Sequence, residues 1–554
     1  MPEPTTANFL VYRDGRQRVG GDAVVRQLAC ALMAVGEHFS DEGVISALLC
    51  AGVLECALCD AASEHADSAG KITDHLAEFV CTADLRSHSS CSSIGDCLRL
   101  LSRIAPRGEL SVSRPEGFAY YALHPLDFAD VISSVRLSAP CAVVIGIRSI
   151  GTTLSASAAA KLRSMDIATS RTTVRPAGHP YDRRTTLNQA QRDLVKHGLS
   201  QDATFIVCDE GPGRSGSSLL SVAEALEAEG VGPGRILLLC SNQPNPDALC
   251  APRAAERWQH YRSIASAQTK RLPAEAGRYL GGGEWRTVFV PEDRPWPATW
   301  PQTERLKFLS RDGRRVFKFE GHGCYGEQVR RREEMLSASE FGRPYLGREA
   351  GFGIHEVVNG IPAQSGDISP ALLRHFARYC AWRSASFPAA ASEDGLPQLE
   401  TMASINCEQE LGFAPELHLE IEHPVVCDGR MQPHEWIAAG GGRWIKLDAS
   451  THGDDHFFPG PTDIAWDLAG LCVEWELNAE CRNFLFEEYS RLSGDRPHTR
   501  LTGYELAYAA FRLGWSRMAA ASVAGSFDEH LLLQDAERYR RALVRLAEFA
   551  PVLG

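Results

Sequence analysis

Three short, unbroken apolar runs constrain this chain more than anything else in it: residues 141–147 (CAVVIGI), 204–208 (TFIVC) and 235–240 (RILLLC). Runs this short with no polar alternation predict strands covered on both faces, the signature of a parallel sheet. Helical patterns lie between them at 187–196 and 218–229, and Gly230 closes the second. Strand–helix–strand repetition predicts an open α/β sheet whose ligands bind at the carboxyl ends of the strands.

That sheet fills only part of 554 residues. At roughly 100–200 residues per domain the length implies about three folding units. Residues 1–110 read as a helical, Cys-rich N-terminal region capping the next domain. Apolar residues recur there with helical spacing over 23–35, 41–62 and 71–80. The α/β domain is expected at 111–280. A linker follows at 281–302 (GGGEWRTVFVPEDRPWPATWPQ), and a last domain spans 303–554. In that domain, 305–310 and 314–319 flank Arg311-Asp312-Gly313, a hairpin signal.

A hydrophobic content of 44% and a charged content of 23% fit soluble globular domains. The net charge of −13 disfavours nucleic acid and membrane surfaces as partners, since both call for a basic face. The most apolar stretch, 44–59, is shorter than the about 20 residues a bilayer needs and contains Glu55, so it predicts a buried helix. The start of the chain lacks an apolar secretory core, and the 17 cysteines read as reduced, small apolar residues; the expected compartment is the cytoplasm. Cys56-x-x-Cys59 has no second ligand pair at zinc spacing, which favours packing over metal.

One segment carries most of the chemistry. After the strand 204–208 come Asp209-Glu210, then Gly211-Pro-Gly213-Arg214-Ser215-Gly216-Ser217-Ser218 and a helix. Glycines let amides turn inward, hydroxyls add donors, and the helix start adds a positive dipole end, which together seat a phosphate. The two acids suit ribose hydroxyls instead. This segment resembles the 5-phosphoribosyl-1-pyrophosphate (PRPP) signature of type I phosphoribosyltransferases, with its loop one residue longer than usual. The resemblance implies Asp209 and Glu210 as catalytic acids at the ribose. It also implies a 5-phosphate held by Gly211, Gly213, Arg214, Ser215, Gly216, Ser217 and Ser218.

Upstream, Gly146-Ile-Arg148-Ser149-Ile-Gly151-Thr152 turns from strand to helix and resembles the pyrophosphate loop of the same family, with Arg148, Ser149, Gly151 and Thr152 facing the leaving group. Arg175, His179 and Tyr181, in a polar and aromatic turn, are candidates for a lid or acceptor wall. Residues 116–124 (EGFAYYALH) are a second candidate wall.

In the last domain, Val316-Phe-Lys318-Phe sets a lysine in an apolar strand, with Glu333 or Glu334 as a helix partner. Then come Cys427-Asp428, Gln432-Pro433-His434, Trp444-Ile-Lys-Leu-Asp448 and Asp463-Ile-Ala-Trp-Asp467. This series resembles the aminoglycoside-phosphotransferase and choline-kinase branch of kinase-like proteins. The resemblance implies ATP at Lys318 and Glu334, Asp428 as the base, and magnesium on Asp448. It implies Asp463 and Asp467 as braces of the catalytic loop. Pro433 stands where that branch has a metal-binding Asn, so His434 or Gln432 must substitute. Residues 321–326 (GHGCYG) are the candidate nucleotide loop. Residues 451–456 (THGDDH) read as a polar loop over the site, or as a transition-metal site.

The fold class implied is α/β: a parallel-sheet phosphoribosyltransferase core with a helical N-terminal region, plus an α+β kinase-like C-terminal domain. The implied function is bifunctional. PRPP-dependent transfer to a small-molecule acceptor would be coupled to ATP-dependent phosphorylation, with Mg²⁺ as cofactor. The alternative is a non-catalytic PRPP or nucleotide sensor with a pseudokinase domain. Expected partners are small molecules, with a homodimer left open.

Overall fold

The computed structural model describes residues 9–13, 15–81, 89–137, 139–266, 271–390, 395–453, 455 and 457–548. The chain forms two compact units. One comprises residues 15–272 with 321–327, the other residues 1–14, 273–320 and 328–554.

The first unit is built on a five-stranded, all-parallel sheet of β1 (Cys141–Ile147), β2 (Ala168–Val174), β3 (Thr204–Cys208), β4 (Ile236–Cys240) and β5 (Arg262–Ala265), ordered β2-β1-β3-β4-β5. Strands β1, β3 and β4 are almost wholly buried. Because the order reverses between β1 and β3, the loops leaving those two strands diverge and open a crevice between them.

No domain boundary falls at residue 110. Helix α1 (Asp41–Asp60) is apolar on all sides, and helix α2 (Ala66–Cys81) packs beside it. Their Leu48, Leu54, Ile72 and Leu76 share one core with Ala156 and Ala160 of α3 (Ile150–Arg163), the helix leaving β1. Helix α1 is long and apolar enough to cross a membrane, yet 72% of its most apolar window is buried inside this unit. Its start is fixed by Ser40, whose side chain accepts the Gly43 N–H at 3.0 Å. Its apolar faces identify it as buried, but only the tertiary structure places α3 against it.

The second unit carries a five-stranded antiparallel sheet: β6 (Ala276–Tyr279), β7 (Lys307–Ser310), β8 (Arg315–Phe319), β9 (Tyr345–Glu349) and β10 (Phe352–Glu356), in the order β6-β7-β8-β10-β9. Gly313 turns the β7–β8 hairpin at φ +73°. The expected linker at 281–302 is instead the connection from β6 to β7, so the α/β region ends near 272 rather than 280. Helices dominate the rest, among them α6 (Pro370–Ser386) and α7 (Ala465–Glu474). In the chain, α5 (Gly323–Ser337) connects β8 to β9; α4 (Ser217–Ala228), earlier in the sequence, belongs to the first unit. Residues 321–327, which include the first residues of α5, belong to the first unit. Gly323 there has no room for a side chain, since an added Cβ would lie 2.7 Å from Ser46 Cα. The 321–326 segment is therefore not a nucleotide loop of the second unit.

The approach of α1 to α3 depends on Gly52: a Cβ there would lie 2.0 Å from Thr153 Oγ1. Gly52→Ala is expected to cost about 1–3 kcal/mol and lower the melting temperature by several degrees. An unchanged thermal melt would show that the two helices are not packed this closely.

Candidate functional site

The second unit contains a cavity of about 210 Å³. Val316, Val357, Val358, Ile437 and Leu447 give its wall an apolar part, and Lys307, Lys318, Asp448 and Thr451 also line it. Lys318 points inward from β8 and donates to Asp448 Oδ1 at 2.8 Å and Thr451 Oγ1 at 2.9 Å. Lys307, its cross-strand neighbour, lies 3.7 Å from the other Asp448 oxygen. Burial works against ionisation of the Asp448 carboxyl, but Lys318 and Lys307 outweigh it and hold the group well below the usual carboxylate range. Burial in turn lowers the Lys318 ammonium, with Asp448 opposing. Asp448 has φ +56°, a strained conformation for a residue with a side chain.

The expected lysine–glutamate pair does not form. Glu334 pairs with Arg330 one turn earlier on the same helix, at the surface. Glu333 is buried and accepts the Ser450 hydroxyl. The turn of α5 thus directs neither carboxylate to Lys318.

Asp428 is fully buried and does not line the cavity. Tyr379 of α6 donates to its Oδ2, Lys446 Nζ lies 3.2 Å from Oδ1, and Arg383 lies 4.0 Å from Oδ2. Its loop is clamped by Asp467, whose carboxylate accepts the N–H groups of Asp428 and Gly429 at 2.9 and 3.0 Å. Asp463 accepts the N–H groups of Glu422 and His423, both at 2.8 Å, and pairs with Arg500. Glu435 is one of the acids that do line it, 2.7 Å from Lys446. Burial pushes its carboxyl up to about 7, Lys446 opposing.

His434 and Gln432 also line the cavity. His434 stacks on Trp285 at 5.7 Å, and burial drives its imidazole down to about 3, so it is neutral. The ligand-bearing atoms gathered near Asp428 are instead those of Glu435 and His452, all within 4.8 Å of one another. His434 and Gln432, expected beside Asp448 as magnesium ligands, line the same cavity as Asp448. Asp448, an ionised hard-oxygen donor in the cavity wall, fits magnesium by its chemistry. Trp285, Phe289 and Trp300, from the stretch expected to be a linker, form the aromatic side of the same cavity. Of the 451–456 motif, Asp454 and His456 lie outside the described residues.

In the first unit, both loops singled out in the sequence leave adjacent strands at the reversal between β1 and β3. Gly151 permits their contact, since a Cβ there would lie 2.5 Å from the Cys208 carbonyl oxygen; within the first loop, a Cβ on Gly146 would lie 2.4 Å from the Gly151 oxygen. Ser149 is held at φ +103°, and Gly216 caps α4 in the left-handed region. Asp209 and Glu210 are half-buried in the crevice. Burial pushes Asp209 up to about 7, and burial plus the Asp209 charge pushes Glu210 up to about 8.

Other predicted ligands are already engaged. Arg148 Nη1 binds Asp60 Oδ1 at 3.0 Å, and Arg175 binds both Asp60 and the Arg148 carbonyl, the latter at 2.8 Å. Arg175 therefore sits beside the β1 loop rather than in a lid. Ser215 and Ser217 donate to the Pro180 carbonyl oxygen at 3.0 and 2.7 Å, so a turn covers the expected phosphate seat. That turn joins the short strands Ala177–His179 and Asp182–Arg184, with His179 and Tyr181 exposed on it. The Thr152 hydroxyl is buried without a hydrogen-bond partner, Arg214, like Gly213, is exposed, and Ser218 is half-buried. Gly211 backs onto Asn242, and Gly117 of the 116–124 stretch backs onto Glu210.

Asp60, Pro180, Glu435 and Lys446 had no role assigned from the sequence; Lys446 lies within the Trp444–Asp448 motif, but its partners are set by the fold. Lys307 was readable, because a hairpin turning at 311–313 sets it opposite Lys318.

No family model matches the chain, and no curated protein matches it. Among solved structures it is similar to a choline kinase from Streptococcus pneumoniae, at 15% identity and TM-score 0.32, over 44% of this chain and 90% of that one. An ethanolamine kinase from Plasmodium vivax gives 10% identity and TM-score 0.28 over 42% and 78%. An aminoglycoside phosphotransferase from Alicyclobacillus acidocaldarius gives 14% and 0.26 over 50% and 93%. Overlap at this level assigns neither fold nor substrate.

Both crevice acids have raised pKa values, so the folded state holds more protons than the unfolded chain between their ordinary values and about 7–8. Their contribution is fully present below about pH 4 and lost as pH rises through 7–8. Asp209→Asn with Glu210→Gln is therefore expected to raise the melting temperature more at pH 8 than at pH 5. Equal shifts at both pH values would contradict the buried acid pair.

Proposed function

We propose that the second unit is an ATP-dependent small-molecule kinase. The observation that carries this reading is the Lys318–Asp448 pair, 2.8 Å apart in the wall of a cavity that apolar side chains also line. An ammonium that neutralises phosphate charge and a carboxylate that suits magnesium stand together, which is what phosphoryl transfer needs at the nucleotide. The apolar part of the wall suits the base of a nucleotide. Asp448 would hold Mg²⁺, which when bound offsets the charge of the phosphates. Glu435 faces the cavity with a carboxyl near 7, the range in which a general base works at neutral pH. It therefore replaces the buried Asp428 as the group that takes the acceptor's proton. Asp428 fixes Lys446, and Lys446 fixes Glu435.

A second activity, transfer of a 5-phosphoribosyl group from PRPP with release of pyrophosphate, is supported by the meeting of the two loops at the strand-order reversal. Asp209 and Glu210 would take the ribose hydroxyls and the 211–218 loop the 5-phosphate. Arg148 would neutralise the leaving group after parting from Asp60.

Incubating the protein with ATP, PRPP, Mg²⁺ and a metabolite extract, and following ADP and pyrophosphate separately, tests both. Lys318→Ala and Glu435→Gln are each expected to reduce ADP formation at least about 100-fold while leaving pyrophosphate release intact; Asp209→Asn is expected to do the reverse. PRPP and ATP binding without either product would overturn catalysis in favour of a sensor.

A further inference from the structure

Two residues beyond Lys318, three side chains that the proposed reactions do not use converge inside the second unit. Glu320 follows β8, Glu333 lies on α5 and His355 lies in β10. Their side chains are 0%, 6% and 0% exposed. His355 Nε2 is 2.9 Å from Glu320 Oε1. The other ring nitrogen, Nδ1, is buried without a hydrogen-bond partner and faces Glu333 Oε2 across 4.0 Å, too far for a hydrogen bond. Ser450 donates to the second Glu333 oxygen. One ligand atom from each of the three residues lies within 4.8 Å of the others.

The space is shaped for these groups. Gly353, on the strand paired with β8, has no side chain where Glu320 sits; a Cβ there would lie 2.1 Å from Glu320 Oε1. Two buried carboxylates beside one imidazole are costly unless their charge is balanced. Lys318, Arg348 and Arg343 reduce that cost without removing it, and burial still pushes the Glu320 carboxyl up to about 7. Burial also drives His355 down to about 3, leaving a neutral ring with a lone pair to donate.

We propose that Glu320, Glu333 and His355 form a binding site for a divalent transition-metal ion that takes nitrogen and oxygen ligands, with zinc as the type. Donation from Nε2–H to Glu320 fixes the tautomer and turns the Nδ1 lone pair toward Glu333. Carboxylate–histidine–metal sites are oriented by this kind of outer contact. Tetrahedral bonds of about 2.0–2.1 Å to a ring nitrogen and a carboxylate oxygen place those two atoms about 3.3 Å apart, so binding draws Glu333 Oε2 in from its present 4.0 Å. The two carboxylates balance its charge. Bound there, the ion joins β8, α5 and β10 next to Lys318. It supplies the tether to α5 that a lysine–glutamate pair does not provide.

The full-length chain, stripped with a chelator and dialysed against Zn²⁺ or Co²⁺ alone, tests this through bound metal and melting temperature. The expected result is about one equivalent per chain, a higher melting temperature, and a visible absorption band with cobalt. His355→Gln and Glu333→Gln should each weaken binding at least about tenfold, whereas Asp448→Asn, in the cavity wall, should retain it. Failure of the stripped wild-type protein to take up metal overturns the proposal, whatever the variants do. So does binding that survives His355→Gln but is lost in Asp448→Asn, which would place the ion in the cavity. Neither result bears on ADP formation, which tests the kinase reading separately.

Discussion

Arg171 sits on the outermost parallel strand with its side chain only 4% exposed, and carboxylates from two helices neutralise it there. Glu55 of α1 takes it at 2.9 and 3.0 Å, and Asp74 of α2 at 2.6 Å. A buried guanidinium without partners would cost several kcal/mol, so this contact fixes where the N-terminal helices lie against the sheet. Glu55 is the one acid inside the most apolar stretch of the chain, and its role is to reach the sheet from there. The packing of α1 on α3, the positions of Cys56 and Asp60 on the last turn of α1, and the hold of Asp60 on Arg148 all follow from that placement.

The same rule organises both candidate sites. A chain with net charge −13 has to bring its positive charge to particular places if it is to bind polyanions. In each site those cations are already matched to a carboxylate: Arg148 and Arg175 to Asp60, Lys318 and Lys307 to Asp448. A phosphate-bearing ligand would exchange with a protein carboxylate or, with magnesium, share it. Strain lies at the same places, since Ser149 and Asp448 both hold positive φ.

Much of this was legible from residue order. The apolar runs at 141–147 and 204–208 became β1 and β3, the hairpin around Gly313 formed, and Asp463 and Asp467 lie where they brace the loop carrying Asp428. Where the reading failed, the cause was orientation. Glu333 and Glu334 are adjacent in sequence but about 100° apart around a helix, and neither direction leads to Lys318. The Gly/Pro/Trp stretch at 281–302 has the composition of a linker, yet it is a cavity wall, with Trp285 and Trp300 lining the cavity and Trp300 buried in the second unit's core. Asp428, His434 and Glu435 lie within one short segment, yet His434 and Glu435, on the turn at 433–435, line the cavity and Asp428 does not.

The sequence by itself determined the parallel strands, the two loops and the chemistry available in them, because strand burial and Gly-rich turns are written in local residue order. Tertiary structure alone decided which helices cover the sheet, which carboxylate each arginine and lysine takes, and which acids reach a cavity. Those outcomes depend on side chains far apart in sequence, such as Glu55 and Arg171 or Lys318 and Asp448, whose meeting is set by packing and by the cost of leaving charge unpaired away from water.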